Sequence, residues 1–272
     1  MVRDAMTELD SIESMLDEQR RFPPPEPIAS EAHITDLDEY QSMWRRSIAD
    51  PAGFWGEIAE EFEWYRKWDE VASWDFVDAQ IKWFEGAQLN VSVNCLDRHI
   101  AAGRAGEPAI SFEADDGEMS TYSFSEVLEQ VCRLGNLLRV NGVTKGDRVT
   151  VYMPMIPELA FTLLACARIG AIHSVVFGGF SADSLAQRIV DCTSDVLVTT
   201  DAGIRGGKLV PLKSTGDAAI ELAAEQGVNV RCVIVNHRAG DGIGEGSPGW
   251  VLGRDVDMEE GMASQGTTCE PE

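Results

Sequence analysis

The feature that most constrains this chain is the alternation running from residue 148 to residue 235. Apolar runs at 148–153, 171–176, 195–200 and 230–235 are separated by helical patterns at 157–169, 181–192 and 217–226. Strands that are apolar on both sides have no solvent face. They predict an α/β fold with a mostly parallel sheet and helices on both faces. Local chemistry sets the boundaries: Pro157 opens one helix and Gly170 closes it, Leu185, Ile189 and Cys192 share the face of the next, and Gly227 stops the last.

Upstream, residues 109–113 and 119–122 flank Asp115-Asp116-Gly117, which predicts an antiparallel ribbon around a tight turn. The ribbon leads into a helix over 123–140, with Val127, Val131, Leu134, Leu137 and Leu138 at helical spacing. Ser123 and Glu126 form a capping box and Asn141-Gly142 the stop. Trp44, Trp55, Trp64, Trp68, Trp74 and Trp83 are six of the seven tryptophans. They read as packing anchors of a helical segment rather than as chemistry. The first 20 residues read as an acidic helix, followed by a linker that Pro23, Pro24, Pro25 and Pro27 hold extended. Beyond residue 239 there is no strand signal. The expected organisation is an extension and linker over 1–30, an N-terminal helical segment over 31–104, an α/β part over 105–238 and an acidic Gly-rich tail over 239–272.

Asp and Glu number 46 against 22 Lys and Arg, a net charge of −24 that repels nucleic acid and anionic membrane alike. The basic residues are 5 Lys and 17 Arg, and this bias beside so much acid points to a salt-rich interior, where a Debye length of ~3 Å at molar salt screens the self-repulsion. The six cysteines stand singly, with no C-x-x-C, which predicts reduced thiols and a cytoplasmic location. The longest apolar run, 160–167, ends at Arg168, far short of the ~20 residues that span a bilayer. Cys95 and His99 flank Asp97 without a second pair, so a structural role is expected there and no metal site. No residue is singled out as catalytic.

Two motifs fall at the carboxyl ends of predicted strands, where doubly wound sheets gather ligands. Phe177-Gly178-Gly179-Phe180 could let a flat ring approach the backbone, and Asp183 in the following helix's first turn disfavours an anion at that point. In Arg205-Gly206-Gly207-Lys208 two cations bracket two glycines, which suits a phosphate. From the residues alone, a turn carrying solvated charges is an equally good reading.

Residues 12–238 resemble the N-terminal part of the AMP-forming acetyl-CoA synthetases, within the adenylate-forming ligase superfamily. The resemblance is carried by Trp83-Phe84-Glu85-Gly86 with Leu89-Asn90, by Asn94-Cys95-Leu96-Asp97-Arg98-His99 and by Gly146-Asp147-Arg148-Val149. Tyr152-Met153-Pro154-Met155-Ile156-Pro157-Glu158 and the two glycine motifs complete it. The charge bias gives it a haloarchaeal character. The resemblance implies acetate, ATP and Mg2+ forming acetyl-adenylate, from which the thiol of coenzyme A displaces AMP. It also implies that Phe177, Gly178 and Gly179 meet the CoA adenine, and that Arg205, Gly206, Gly207 and Lys208 meet its nucleotide end.

The superfamily's phosphate loop is not found within residues 1–272. The chain alone is therefore expected not to make the adenylate, a separately encoded C-terminal half is an expected partner, and an apolar face or strand edge is expected to lie exposed. Alternatives are a ligase for propionate or another short acid and a noncatalytic CoA-binding module. A nicotinamide-dependent oxidoreductase is more remote, since the glycine fingerprint it requires is missing.

Overall fold

The computed structural model describes residues 22–115, 117–238 and 249–272. The acidic helix expected over 1–20 and the Gly-rich loop at 241–248 lie outside those residues. Two compact units divide the chain, Met1–Ala59 and Glu60–Glu272. The first contains α1 (Glu26–Glu31), α2 (Leu37–Ala49) and α3 (Pro51–Ala59). α1 corrects the expected linker: Pro25 is extended, but Pro27 sits in the first helical turn, where its missing N–H loses no hydrogen bond. Asp36 caps α2 by accepting from the Glu39 amide at 2.7 Å, and Arg46 joins α2 to α3 through Glu57 at 2.7 Å.

The second unit opens with an antiparallel hairpin, β1 (Glu70–Asp75) and β2 (Gln80–Glu85). This corrects the helical segment expected over 31–104. The spacing of Trp64 and Trp68 suggests a helix, but these rings gather against Phe84 of β2, at centroid distances of 5.5 and 5.2 Å. Val71, Trp74, Ile81 and Trp83 are residues that favour a pleated, half-exposed surface, and Trp74 pairs with Ile81 across the hairpin.

Two short wide-turn helical segments follow, Val93–Asp97 and Ile100–Arg104. They position Asp97 for a clamp on Arg168, which is buried. Arg168 donates from both terminal nitrogens to the Asp97 carboxylate at 2.9 and 3.0 Å, and from Nε to the Cys269 carbonyl at 2.6 Å. Asn90 Nδ2 donates to the carbonyls of Ala167 and Glu272, both at 2.9 Å. The Asn90 and Asp97 motifs thus fasten this segment to the α/β unit and to residues 269–272.

The ribbon forms as expected, from β3 (Pro108–Glu113) and β4 (Met119–Ser123). It is followed by α4 (Phe124–Val140), whose capping box joins Ser123 and Glu126. The main sheet is built from β5 (Arg148–Met153), β6 (Ile172–Phe177), β7 (Val196–Thr200), β10 (Cys232–Asn236) and β11 (Asp255–Asp257), in the order β11-β10-β7-β5-β6. All of its pairings are parallel. Between β7 and β10 lie a small hairpin, β8 (Ala202–Arg205) with β9 (Lys208–Pro211), and the helix α7 (Leu212–Glu225).

Side-chain alternation sorts the core into two layers. Val149, Val151, Met153, Val196, Val198 and Ile234 face α4, α5 (Pro157–Arg168) and α8 (Met258–Ala263). Tyr152, Leu197, Val233 and Val235 face α6 (Ala182–Cys192) and α7. Both faces of the sheet are therefore covered. Burial pushes the thiol of Cys166 up to about 12 and that of Cys232 up to about 11, so both are packing groups. No helix among the described residues is long and apolar enough to cross a membrane.

Two stretches differ from expectation for tertiary reasons. α7 starts at Leu212, five residues ahead of the helical pattern expected over 217–226. At Gly216 a Cβ would come within 3.2 Å of Leu197, so the glycine lets the helix lie close on β7. Residues 255–263 form β11 and α8, where no further strand was expected, because Asp255, Val256 and Asp257 find partners in Val233, Ile234 and Val235. At the other edge, Ile172, Val175 and Phe177 of β6 are about half exposed, which is the apolar strand edge expected from the sequence.

Candidate functional site

Phe177 ends β6 beside Met153, its register partner on β5. A Cβ on Gly178 would stand 2.7 Å from the Met153 carbonyl oxygen. This glycine therefore lets two backbone segments touch. Gly179 serves differently: its φ of 147° is a glycine conformation, and a Cβ there would meet only the Phe177 ring, at 3.5 Å. The Phe180 carbonyl accepts from the buried Tyr152 hydroxyl at 2.8 Å. The turn thus presents Phe177 and Phe180, exposed and edge-to-face at 6.0 Å, from a fixed backbone.

The second motif is the end of the β8–β9 hairpin. Gly206 and Gly207 have φ of 56° and 71°, as a two-residue turn matched to strand twist requires. Arg205 and Lys208 pair directly across it, so their side chains leave the same face. Both are exposed. The Gly206 amide donates to Asp115 Oδ2 at 3.2 Å, which ties this turn to the β3–β4 turn.

Between these parts lies a cleft of about 530 Å³, walled by Phe112, Met155, Phe177, Gly178, Arg205 and Arg238 among others. Of the residues singled out from sequence, Phe177, Gly178 and Arg205 line it; Gly179, Gly206, Gly207 and Lys208 support its rim without lining it. A ring surface and a guanidinium lining one cleft suit a flat apolar group joined to an anion.

Sequence reasoning missed the residues that tie the neighbouring strand ends together. Asp201, at the end of β7, accepts on Oδ1 from the amides of Ala202 at 2.6 Å and Arg238 at 2.9 Å. His237 Nε2 lies 2.7 Å from Asp257 Oδ2, and its ring stacks on Trp250. Together these fix the carboxyl ends of β7, β10 and β11 around residues 236–238. Their position directly after a strand was the signal available. Deeper still, Lys213 contacts Asp217 and Asp255 at 2.8 Å each, and Arg254 contacts the same two carboxylates at 2.6 and 2.7 Å.

A parallel sheet with its loops gathered at the carboxyl ends of the strands is a frame on which α/β proteins place ligand sites, and the family profile described as AMP-binding enzyme matches residues 97–258. The chain belongs to that family. Residues 40–95 match a second profile, the acetyl-coenzyme A synthetase N-terminus. The chain is similar to acetyl-coenzyme A synthetases, with 45% identity to that of Rhizobium rhizogenes over 93% of this chain and 38% of the relative. Identity is 43% to that of Halorhodospira halophila, over 94% and 38%, and 47% to that of Rhizobium meliloti, over 88% and 36%. The chain spans less than two-fifths of the length of these relatives.

Proposed function

We propose that the chain is the N-terminal portion of an acetate–CoA ligase and contributes contacts to the nucleotide end of coenzyme A. The observation that carries this reading is the direct pairing of Arg205 with Lys208 at the mouth of the cleft. Like charges directly opposed on a hairpin destabilise it, and a phosphate seated between them removes that cost. Arg supplies a planar fork and Lys a point charge, while Phe177 and Phe180 offer an adenine its stacking surface. Asp115 weakens the local positive field, but its Oδ2 is engaged by the Gly206 amide.

Adenylation of acetate needs fixed donors and Mg2+ at the α-phosphate. Among the described residues no group of three or more His, Cys, Asp and Glu side chains could hold a metal ion, so no Mg2+ ligand is proposed among them. Acetate is the proposed acid by likeness to the relatives, and a separately encoded C-terminal half is the proposed partner.

Arg205→Glu is expected to weaken CoA binding by about tenfold or more, since it replaces a charge-assisted contact with repulsion. Calorimetric titration of the purified chain checks this, and an unchanged Kd overturns the assignment. The same preparation is expected to give no acetate-dependent exchange of pyrophosphate into ATP above a heat-killed control. Exchange above that control would place the adenylation chemistry within these 272 residues.

A further inference from the structure

The cations of this acidic chain are mostly spoken for. Arg133, Arg168, Lys213, Arg231 and Arg254 each hold a carboxylate. Arg238 holds none among the described residues, although it is half-buried and stands two residues beyond the end of β10. Its Nε is buried without a hydrogen-bond partner among the described residues. Its guanidinium lies 5.8 Å from the centre of the Phe112 ring, a contact that orients the plane. Arg238 also lines two cavities at once, the 530 Å³ cleft and an adjoining one of about 280 Å³ walled by Phe112, Tyr122, Pro157 and Glu158.

A buried donor without an acceptor is costly, and such an exception calls for a ligand or a reason. The two terminal nitrogens of the guanidinium, which are not closed off as Nε is, form a planar fork that matches two oxygens of a phosphoryl group. The nearby carboxylate of Asp201 is turned to the Arg238 backbone amide instead. Glu113, Asp115, Glu118 and Glu158 line the same cavities and set a limit on the field, yet none forms an ion pair with Arg238 among the described residues.

We infer that Arg238 is a second anion-binding residue of this cleft, one that takes a phosphoryl oxyanion. Two sources carry that chemistry, free pyrophosphate and the phosphates of a nucleotide. The inference rests on the family reading only in expecting nucleotides at all.

The test titrates the 272-residue chain, wild type and variants, with inorganic pyrophosphate, ATP and CoA. Arg238→Met keeps the stem over Phe112 and removes the orphaned donor, so its Tm should match or exceed the wild type. Its affinity for pyrophosphate, for ATP or for both should fall by about tenfold or more. A fall for both assigns the site to phosphoryl groups in general, and a fall for ATP alone to a nucleotide. Arg238→Lys, which keeps the charge and loses the fork, should recover only part of the loss. Unchanged affinities in Arg238→Met overturn the inference, as does a wild-type chain that binds neither pyrophosphate nor ATP at millimolar concentration. Arg205→Glu separates the two ideas: loss of CoA binding in that variant beside an unaffected Arg238→Met retains the CoA reading and removes this one.

Discussion

Replacing Asp97 with alanine is expected to lower the unfolding free energy by about 3 kcal/mol or more, the cost of leaving a buried charge without its partner. The side chain of Arg168 is 6% exposed, and both terminal nitrogens donate to Asp97. Its remaining contacts, the Cys269 carbonyl and the Ser92 hydroxyl, carry no full charge. Urea unfolding followed by tryptophan fluorescence reads the effect as a lower midpoint at unchanged slope. Arg168→Met combined with Asp97→Ala should regain part of the loss, because exchanging both charges for apolar volume removes the desolvation penalty. If Asp97→Ala alone leaves the midpoint where it was, the clamp does not hold the helical segment to the sheet.

The second large effect is expected at Lys213. Its side chain is 1% exposed and contacts Asp217 and the fully buried Asp255. Lys213→Met should cost about 3 kcal/mol at neutral pH, since two carboxylates then share Arg254 alone. Burial by itself would raise the Asp255 carboxyl, but hydrogen bonds from Arg254 and Lys213 overcome it and hold the group below the ordinary carboxylate range. A folded pKa below the unfolded one stabilises the protein above the unfolded value, about 3.9. That contribution is lost as the pH falls through the folded value. Without Lys213 the folded value rises, so the acid limb of the stability profile should move to higher pH. Thermal melts between pH 3 and 7 on both proteins check the sign.

How much of this was legible in the residues differs by region. From residue 108 to 200 the elements follow sequence to within a residue or two, because burial on both faces leaves Val149–Val151 and Val196–Val198 no alternative to a central strand. The hairpin at 70–85 was misread, since tryptophans four apart satisfy a helix and a cross-strand cluster equally well. β11 had no local signal: Asp255 and Asp257 enter a strand because Lys213, Arg254 and His237 await them. At the site, glycine pairs and flanking charges marked Phe177 to Gly179 and Arg205 to Lys208. What they could not show was that Gly178 answers to the Met153 carbonyl, or that Arg238 joins Phe177 and Arg205 around one cleft. Those facts depend on strand order, which a sequence carries only implicitly.

The close approach at Gly178 has a kinetic corollary. With the turn after β6 wedged against the end of β5 and fastened by the Tyr152 hydroxyl, the proposed stacking pair is held in one arrangement without a ligand. Capture at that wall should resemble lock-and-key encounter, with an association rate set by diffusion and orientation rather than by loop reorganisation. Selectivity among planar guests would then be expressed mainly in how long each one stays.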